Sequence, residues 1–431
     1  MTRFPPSAGP PRRAAGLAAA FVTVLLLAAT LAPFHPGPQE RVPWTCVACT
    51  PEGTADFVAN VAAFVPLGAA LAAAGWRGRM ATAAGVTLST AIELLQGLGI
   101  AGRTPVLGDV LANGLGSWAG AALVTAGPML WAPTPRVARR VAAAGTLGWA
   151  GLMAASGWLL ARDAAPGPRP PQPGALPSVP GFGWFAGRVT SLTIDAAHVP
   201  SPPSGPAVVA VALGPAAAVA LAVQGGDARG AFVPALAIVD AARRPALALG
   251  MRGAAAELRV RTRARRWRLR EAPLVVPGAL ALLASGDRLA RATLDVSLAP
   301  GRVALAVEAA TGSRRTLAGK SWVARPAHGW TLVVPVARPW GPEAGLLDAL
   351  WVGTLLVPVG VALRRATPAV SALVAAGGAA LVAGLVGAPA LVGAPGASAV
   401  DWVAGAAALA LGMALAGARL PAPPGPASLR A

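Results

Sequence analysis

Eight apolar runs of about 20 residues dominate the sequence, and an α-helix of that length crosses the hydrocarbon core of a bilayer. The runs cover residues 14–33, 56–75, 80–98, 108–126, 141–161, 346–363, 369–391 and 400–418. Charged residues make up 12% of the 431 residues, about half their usual share in a soluble domain, and 55% of the chain is apolar. The sequence therefore predicts an α-helical membrane bundle of about eight spans. It excludes an ordinary soluble, disordered or fibrous protein.

Arginines are distributed unevenly between the connections of these runs. With the N-terminus in the cytoplasm, the short external loops hold only Arg41 and Arg103. The cytoplasmic segments then hold Arg3, Arg12, Arg13, Arg77, Arg79, Arg136, Arg139, Arg140, Arg364, Arg365, Arg419 and Arg430. Cytoplasmic loops of membrane proteins are enriched in Lys and Arg, so both termini are predicted to be cytoplasmic. A cleaved signal peptide is the alternative for the first run, because Arg12 and Arg13 precede it.

A segment of different character separates the fifth and sixth runs. Short alternating stretches such as 188–194 and 258–263, punctuated by Gly, Pro and Asp, predict an all-β sandwich outside the membrane. The Pro-rich residues 166–180 before it predict a stiff linker. Within the segment, four alternating arginines are predicted to share one strand face. They are Arg259, Arg261, Arg263 and Arg265. That face is either a basic surface for anionic headgroups or an ordinary solvated face.

Two cysteines, Cys46 and Cys49, lie together in the first external loop. The oxidising outer compartment favours a disulfide between them. A structural loop closure, a labile redox pair and two free thiols all remain open. The pair cannot form a four-cysteine zinc site, and no histidine follows it as haem attachment would require.

Polar residues recur within the second, third and fourth runs at helical spacing. Asp56 and Asn60 are four positions apart, as are Asp109 and Asn113, and Glu93 and Gln96 are three apart. Each pair therefore shares one face of its helix. All three pairs fall near the predicted external helix ends, with Arg103 in the loop between two of them. We expect the seven side chains to converge on a ligand-binding pocket at the outer leaflet, although capping alone would explain Asp56 or Asp109.

These residues carry a resemblance. The ordered pattern Asp56-x3-Asn60-x3-Phe64-x-Pro66-Leu-Gly68, Glu93-Leu-Leu-Gln96, Arg103 and Asp109-x3-Asn113-x2-Gly116 resembles the VanZ family of small bacterial membrane proteins over residues 14–126. The resemblance implies the bacterial cytoplasmic (inner) membrane, cell-envelope biology and a link to glycopeptide (teicoplanin) resistance, but no defined reaction. Separately, residues 185–194 weakly resemble a strand motif of concanavalin/laminin-G-like sandwiches.

The last three runs resemble a degenerate second copy of the first unit. Asp348-x9-Pro358-x-Gly360 repeats the spacing of Asp56-x9-Pro66-x-Gly68, and Asp401 follows Asp348 by the interval that separates Asp109 from Asp56. This spacing predicts a parallel repeat of four helices plus four. The polar partners of the first copy are replaced by apolar residues or Gly, so the second half is expected to be scaffold.

The predicted order of domains follows from these boundaries. It is a cytoplasmic tail (1–13), a VanZ-like four-helix membrane unit (14–126), a cytoplasmic loop with the fifth span (127–163), the extracytoplasmic sandwich with its linker (164–343), spans six to eight (344–420) and a second tail (421–431).

The function expected from these features is non-enzymatic binding of an envelope lipid-linked precursor or glycolipid headgroup. The partners are the lipid bilayer and that ligand, with no nucleic acid, because the net charge of +19 is partly topological. No cofactor is expected, although carboxylate and amide oxygens suit Mg²⁺ or Ca²⁺. The alternatives are a proton- or cation-coupled transporter and an intramembrane hydrolase or transferase that uses two carboxylates.

Overall fold

The computed structural model describes residues 12–32, 42–100, 104–127, 134–163, 172–174, 185–199, 207–210, 213–226, 232–240, 244–334, 344–367 and 369–417. Within them, a long helix lies at each apolar run. The helices are α1 (Arg12–Leu31), α2 (Gly53–Ala73), α3 (Gly78–Gly97), α4 (Leu107–Thr125), α5 (Pro135–Leu160), α6 (Ala344–Ala366), α7 (Val370–Val392) and α8 (Ala399–Gly417).

Five of these helices, α1, α2, α6, α7 and α8, are long and apolar enough to cross a membrane. The prediction of a helical membrane protein with a separate β region is therefore confirmed. The count of about eight spans stays a prediction, because α3, α4 and α5 do not meet the same measure of length and hydropathy. Polar or charged side chains such as Arg79, Asn113 and Arg139 lie on them and lower their hydropathy.

The chain divides into two compact units. The first comprises residues 1–149, 352–381 and 403–431, and the second comprises residues 150–351 and 382–402. Helices α5, α6, α7 and α8 each begin in one unit and end in the other.

Glycines let α2 and α4 of the first unit pack backbone to backbone. A Cβ added at Gly68 would collide with the backbone of Ser117, and one added at Gly120 would collide with the carbonyl oxygen of Val65. Gly116 is equally crowded by α2. Contact positions advance together along both helices, so α2 and α4 run parallel. Small residues at a membrane helix interface permit this close approach, and Gly116 and Gly120 have the Gly-x3-Gly spacing that favours it.

The pair α6 and α8 packs through glycines in the same manner. A Cβ added at Gly360 would meet the carbonyl oxygen of Leu409, and one added at Gly412 would meet that of Val357. Each of these positions lies 292 residues after a contact position of the first pair. The correspondences are Gly68 with Gly360, Ser117 with Leu409, Gly120 with Gly412 and Val65 with Val357.

Replacing Gly120 with Ala tests this backbone contact. The added methyl group must separate α2 from α4, because a carbonyl oxygen occupies its place. We expect an overpacking loss of about 2–3 kcal/mol in the free energy of unfolding, measured by thermal unfolding in detergent. Gly148→Ala on α5 is the matched control, because nothing lies within 4 Å of the added Cβ there. Equal effects of both changes would contradict the packing.

The second unit contains a β-sandwich of two six-stranded sheets. One sheet has the order β1-β4-β6-β7-β8-β9 and the other β12-β11-β10-β5-β2-β3. The strands are β1 (Gln172–Gly174), β2 (Arg188–Ile194), β3 (Ala197–His198), β4 (Ala207–Ala210), β5 (Ala217–Gln224), β6 (Val233–Val239), β7 (Pro245–Arg252), β8 (Ala255–Val260), β9 (Leu274–Val276), β10 (Arg291–Ala299), β11 (Arg302–Thr311) and β12 (Arg314–Val323).

Both sheets contribute to one apolar core. Strand β10 alternates strictly between buried and exposed residues, and its inward side chains Leu294 and Val296 meet Leu236 and Leu249 from the other sheet in the same buried cluster. Period-2 alternation therefore produces the sandwich, as the sequence predicts. The predicted Pro-rich linker is wrong in one part, because residues 172–174 form β1, which pairs with β4.

The prediction that four arginines share one strand face is wrong. Strand β8 ends at Val260, and a 3₁₀ turn, Arg263–Trp267, follows it. Arg261 is buried beside Asp163 and Asp240, with its Nη1 3.0 Å from Asp240 Oδ2. The alternating sequence pattern continues beyond the end of strand β8. There, Thr262 forms an isolated β-bridge with Arg162, which follows α5, instead of continuing the strand. Arg259, Arg261 and Arg265 consequently meet separate acidic partners, and Arg263 stacks over Trp158.

Glu257 on β8 is fully buried between two arginines. Its carboxylate oxygens lie 2.7 Å from Arg252 Nε and 2.7 Å from Arg259 Nε. Burial alone raises the pKa of Glu257, but hydrogen bonds and positive charge from the two guanidinium groups outweigh it and hold the pKa below its ordinary value. Arg259 in turn stacks over Phe232, 4.2 Å from the ring centroid.

Because the pKa of Glu257 is lowered in the folded state, its ionised form stabilises the fold above its ordinary pKa. That stability is lost as the pH falls through the lowered value. We expect Glu257→Gln to reduce the free energy of unfolding by about 1–2 kcal/mol at pH 7, an estimate discounted for the exposure of both arginines. Thermal unfolding at descending pH should show the difference from wild type shrinking. Glu308→Gln, at a half-exposed surface position, is the control. A constant difference at all pH values would contradict the ion-pair account.

Candidate functional site

The N-terminus of α4 presents backbone N–H groups that need partners outside the helix. Its N-cap residue, Val106, has no side chain that can accept a hydrogen bond. Glu93 of α3 supplies the acceptor, because the Val106 N–H donates to Glu93 Oε2 at 2.8 Å. The next two N–H groups, of Leu107 and Gly108, donate to carbonyl oxygens of loop 42–50 at 2.7 and 2.9 Å. A carboxylate at this position also compensates the positive end of the helix dipole.

Loop 42–50 lies against the first turns of α2 and α4. Cys46 and Cys49 are joined by a disulfide within it, with their Cα atoms 5.6 Å apart. A Cβ added at Gly53, at the start of α2, would lie 2.6 Å from the backbone of Ala48, so a larger residue would not fit there. Gly108 of α4 contacts the neighbouring backbone of the same loop. One disulfide-closed loop therefore holds the beginnings of both helices together.

Asp56 and Asp109 both lie in the first turns of their helices. Since α2 and α4 are parallel and share loop 42–50, the two carboxylates are at the same end of the helix pair. Glu93 joins them there through the start of α4. The structure thus gathers the three predicted acids at one end of α2, α3 and α4. Asn60 lies one turn deeper on α2 and is half-buried.

A deeper polar layer connects α3 with α4. Asn113 is buried and donates from Nδ2 to Ser89 Oγ at 2.8 Å. Asn113 Oδ1 and the buried Ser117 Oγ have no hydrogen-bond partner among the described residues. A buried polar atom without a partner is costly, so these two atoms are the site's unused hydrogen-bonding capacity. The sequence analysis missed Ser89 and Ser117, although Ser89 precedes Glu93, and Ser117 follows Asn113, by four residues.

Comparison with known families identifies this part of the chain. Residues 17–130 match the model of the VanZ/LLP1 family. This region is VanZ-like. The predicted resemblance over residues 14–126 is confirmed, and the match covers all seven polar residues that the sequence singles out. No curated protein and no solved structure matches the chain.

Gln96 of the VanZ-like region has a partner on another helix. Gln96 is buried but donates from Nε2 to the carbonyl oxygen of Thr30 at 3.0 Å, which ties α3 to α1. Arg103 lies outside the described residues. Among the residues that the structure describes, no three His, Cys, Asp or Glu side chains form a group able to hold a metal ion. The binding of Mg²⁺ or Ca²⁺ stays a prediction, and such an ion would need oxygen atoms of a bound ligand to complete its coordination.

Glu93→Ala tests the capping of α4 in the VanZ-like region. The substitution leaves the Val106 N–H without its acceptor, so we expect a loss of about 2 kcal/mol in the free energy of unfolding. Glu93→Gln keeps an oxygen acceptor and should lose about half as much. Thermal unfolding in detergent measures both. Thr90→Ala, on the exposed side of α3, is the control and should change the free energy of unfolding little. A loss for Glu93→Ala no larger than that of Thr90→Ala would rule out the capping role.

Proposed function

We propose that the protein binds the headgroup of an envelope lipid-linked precursor or glycolipid through the polar end of its VanZ-like region, without catalysing a reaction. The unpartnered Asn113 Oδ1 carries this proposal, because a membrane protein rarely leaves a buried amide oxygen unsatisfied unless a ligand or water completes it. The adjacent carboxylates at the ends of α2, α3 and α4 support the same reading.

The proposed site faces the outside of the bacterial cytoplasmic membrane. The arginine distribution supports this orientation, because it keeps both termini and the Arg-rich connections in the cytoplasm. All eight long helices would then span the bilayer. The β-sandwich would lie outside as a recognition or positioning module.

Each polar residue has a role in this proposal. Arg103 would contact phosphate or carboxylate of the ligand. Asp56, Glu93 and Asp109 would accept hydroxyl or amine hydrogens or hold a bridging Mg²⁺ or Ca²⁺, while the amide side chains orient the ligand. Those amides are Asn60, Gln96 and Asn113.

We also propose that the helices form two copies of one four-helix frame, with the β-sandwich inserted into the second. The matching glycine contacts at an interval of 292 residues support the duplication. So do the helix bounds, since α4 (Leu107–Thr125) and α8 (Ala399–Gly417) have equal lengths and the same interval.

The duplication favours one second candidate, a proton- or cation-coupled transporter. Reconstituted vesicles distinguish it from a binder, because a transporter would move solute in response to a proton gradient. An intramembrane hydrolase or transferase is the third candidate and would convert a labelled lipid precursor. The VanZ resemblance adds a link to teicoplanin resistance, which a change in susceptibility on deletion would support.

Native mass spectrometry of the purified protein tests the binding function. A binder should retain a native envelope lipid, and Asp56→Ala, Arg103→Ala and Asn113→Ala should each lower its occupancy about tenfold, the effect of losing roughly 1.4 kcal/mol of contact. Glu308→Ala on the exposed β-sandwich surface should retain the lipid. The melting temperatures of Asp56→Ala and Arg103→Ala should stay unchanged, whereas Asn113→Ala also loses the hydrogen bond to Ser89 and should melt at a lower temperature. Wild-type protein that carries no lipid, or variants that keep it, would contradict the proposal.

A further inference from the structure

A second group of buried charges lies in the second unit, far along the sequence from the VanZ-like region. Asp348 in the first turns of α6 and Asp401 in the first turn of α8 are 1% and 0% exposed. Both contact Arg325, which follows strand β12. Arg325 Nη2 lies 3.2 Å from Asp348 Oδ2, and Arg325 Nε lies 3.5 Å from Asp401 Oδ2. The prediction that the second half is scaffold stays a prediction, and its two acids are buried and paired.

The remaining contacts of this group are uneven. Asp348 also accepts hydrogen bonds, from Trp330 Nε1 at 2.8 Å, and faces His328 Nε2 at 3.3 Å. His328 Nδ1 accepts the Arg325 N–H at 3.1 Å, and His328 Nε2 lies 3.2 Å from Arg325 Nη2. Asp401 Oδ2 accepts the Ser398 N–H at 2.6 Å. Asp401 Oδ1, by contrast, is buried with no hydrogen-bond partner among the described residues.

The charges in the group do not cancel. Among the described residues, two buried carboxylates face one guanidinium, and His328 uses its Nδ1 as an acceptor, so the carboxylates are in excess. Burying an uncompensated carboxylate is expensive. A further cation or hydrogen-bond donor that reaches Asp401 Oδ1 would correct both the charge and the missing hydrogen bond.

One partly exposed side chain covers the acid pair. The side chain of Arg325 is 25% exposed, whereas both aspartates are almost completely covered. The guanidinium therefore separates the acid pair from solvent. Since α6 and α8 are apolar membrane helices and the pair sits at their N-terminal ends, groups from a bilayer surface can approach it.

We infer that Asp348 and Asp401 form a binding site for a guanidinium or primary ammonium group, and that the chain occupies this site with its own Arg325. Planar guanidinium groups bind pairs of carboxylates through several N–H donors, and an ammonium group offers three. The donor comes either from a lipid headgroup with a primary amine or from a soluble cation. Displacement of Arg325 by such a group would release the 3₁₀ turn Pro326–Leu332 from the N-terminal end of α6.

Chemical rescue tests this site in the full-length protein, reconstituted in phosphatidylcholine nanodiscs that contain no primary amine. Arg325→Ala should lower the melting temperature by about 5 °C, because it leaves two buried carboxylates without their cation. Methylguanidinium should restore more than half of that loss in a saturable manner. Tetramethylammonium, which has no N–H donor, should restore none. If Arg325→Ala does not fold, Arg325→Gln takes its place.

Two matched variants make the result specific. Arg314→Ala, at an exposed position of β12, should show neither the loss nor the rescue. The double variant with Asp401→Asn should lose the response to methylguanidinium. If phosphatidylethanolamine in place of phosphatidylcholine restores the melting temperature of Arg325→Ala, the natural donor is a lipid headgroup. If only the soluble methylguanidinium restores it, the natural donor is a soluble cation. Absence of saturable rescue, or equal rescue in the Asp401→Asn background, would overturn the proposal.

Discussion

The capping of α4 is the interaction on which the arrangement of the VanZ-like region depends. A helix whose N-cap is Val106 has no side-chain acceptor of its own for its first N–H groups. Glu93 from α3 and the carbonyls of the disulfide-closed loop supply the missing acceptors. Because the acceptors come from separate parts of the chain, satisfying them brings α2, α3 and α4 into register at one end.

That register determines where the polar residues lie. Asp56 and Asp109 occupy first turns of parallel helices, and the glycine contacts between α2 and α4 hold the helices close enough to share a ligand. Further in, Asn113 bonds Ser89 and keeps one acceptor unused. The resulting layers run from charged at the helix ends to neutral and hydrogen-bonding inside, which suits a headgroup that enters from the membrane surface.

The sequence predicts the parts of this arrangement that follow from periodicity. Apolar runs locate all eight long helices, helical spacing pairs Asp109 with Asn113, and the Gly-x3-Gly of α4 predicts its close packing. Tertiary partners carry no such signal. No sequence pattern near Glu93 predicts that it caps another helix. The alternation of arginines around Arg261 continues beyond the end of β8, so it does not locate the end of that strand. Arg325 lies outside any helical or strand pattern shared with Asp348 and Asp401, so its pairing with them is visible only in the fold.

The acid pair Asp348 and Asp401 and the acid pair Asp56 and Asp109 differ in the groups that cover them. Asp348 and Asp401 are covered by a side chain from the end of the β region, whereas Asp56 and Asp109 lie half-buried below the disulfide loop.

The central claim is that the polar residues of the VanZ-like region share one ligand. A cryo-electron microscopy map of the protein in nanodiscs made from native lipid tests this claim most directly. The account predicts one headgroup density bordered by Asp56, Asp109 and Asn113. Carboxylates that point separately into bulk water or toward acyl chains, with no shared density, would contradict it.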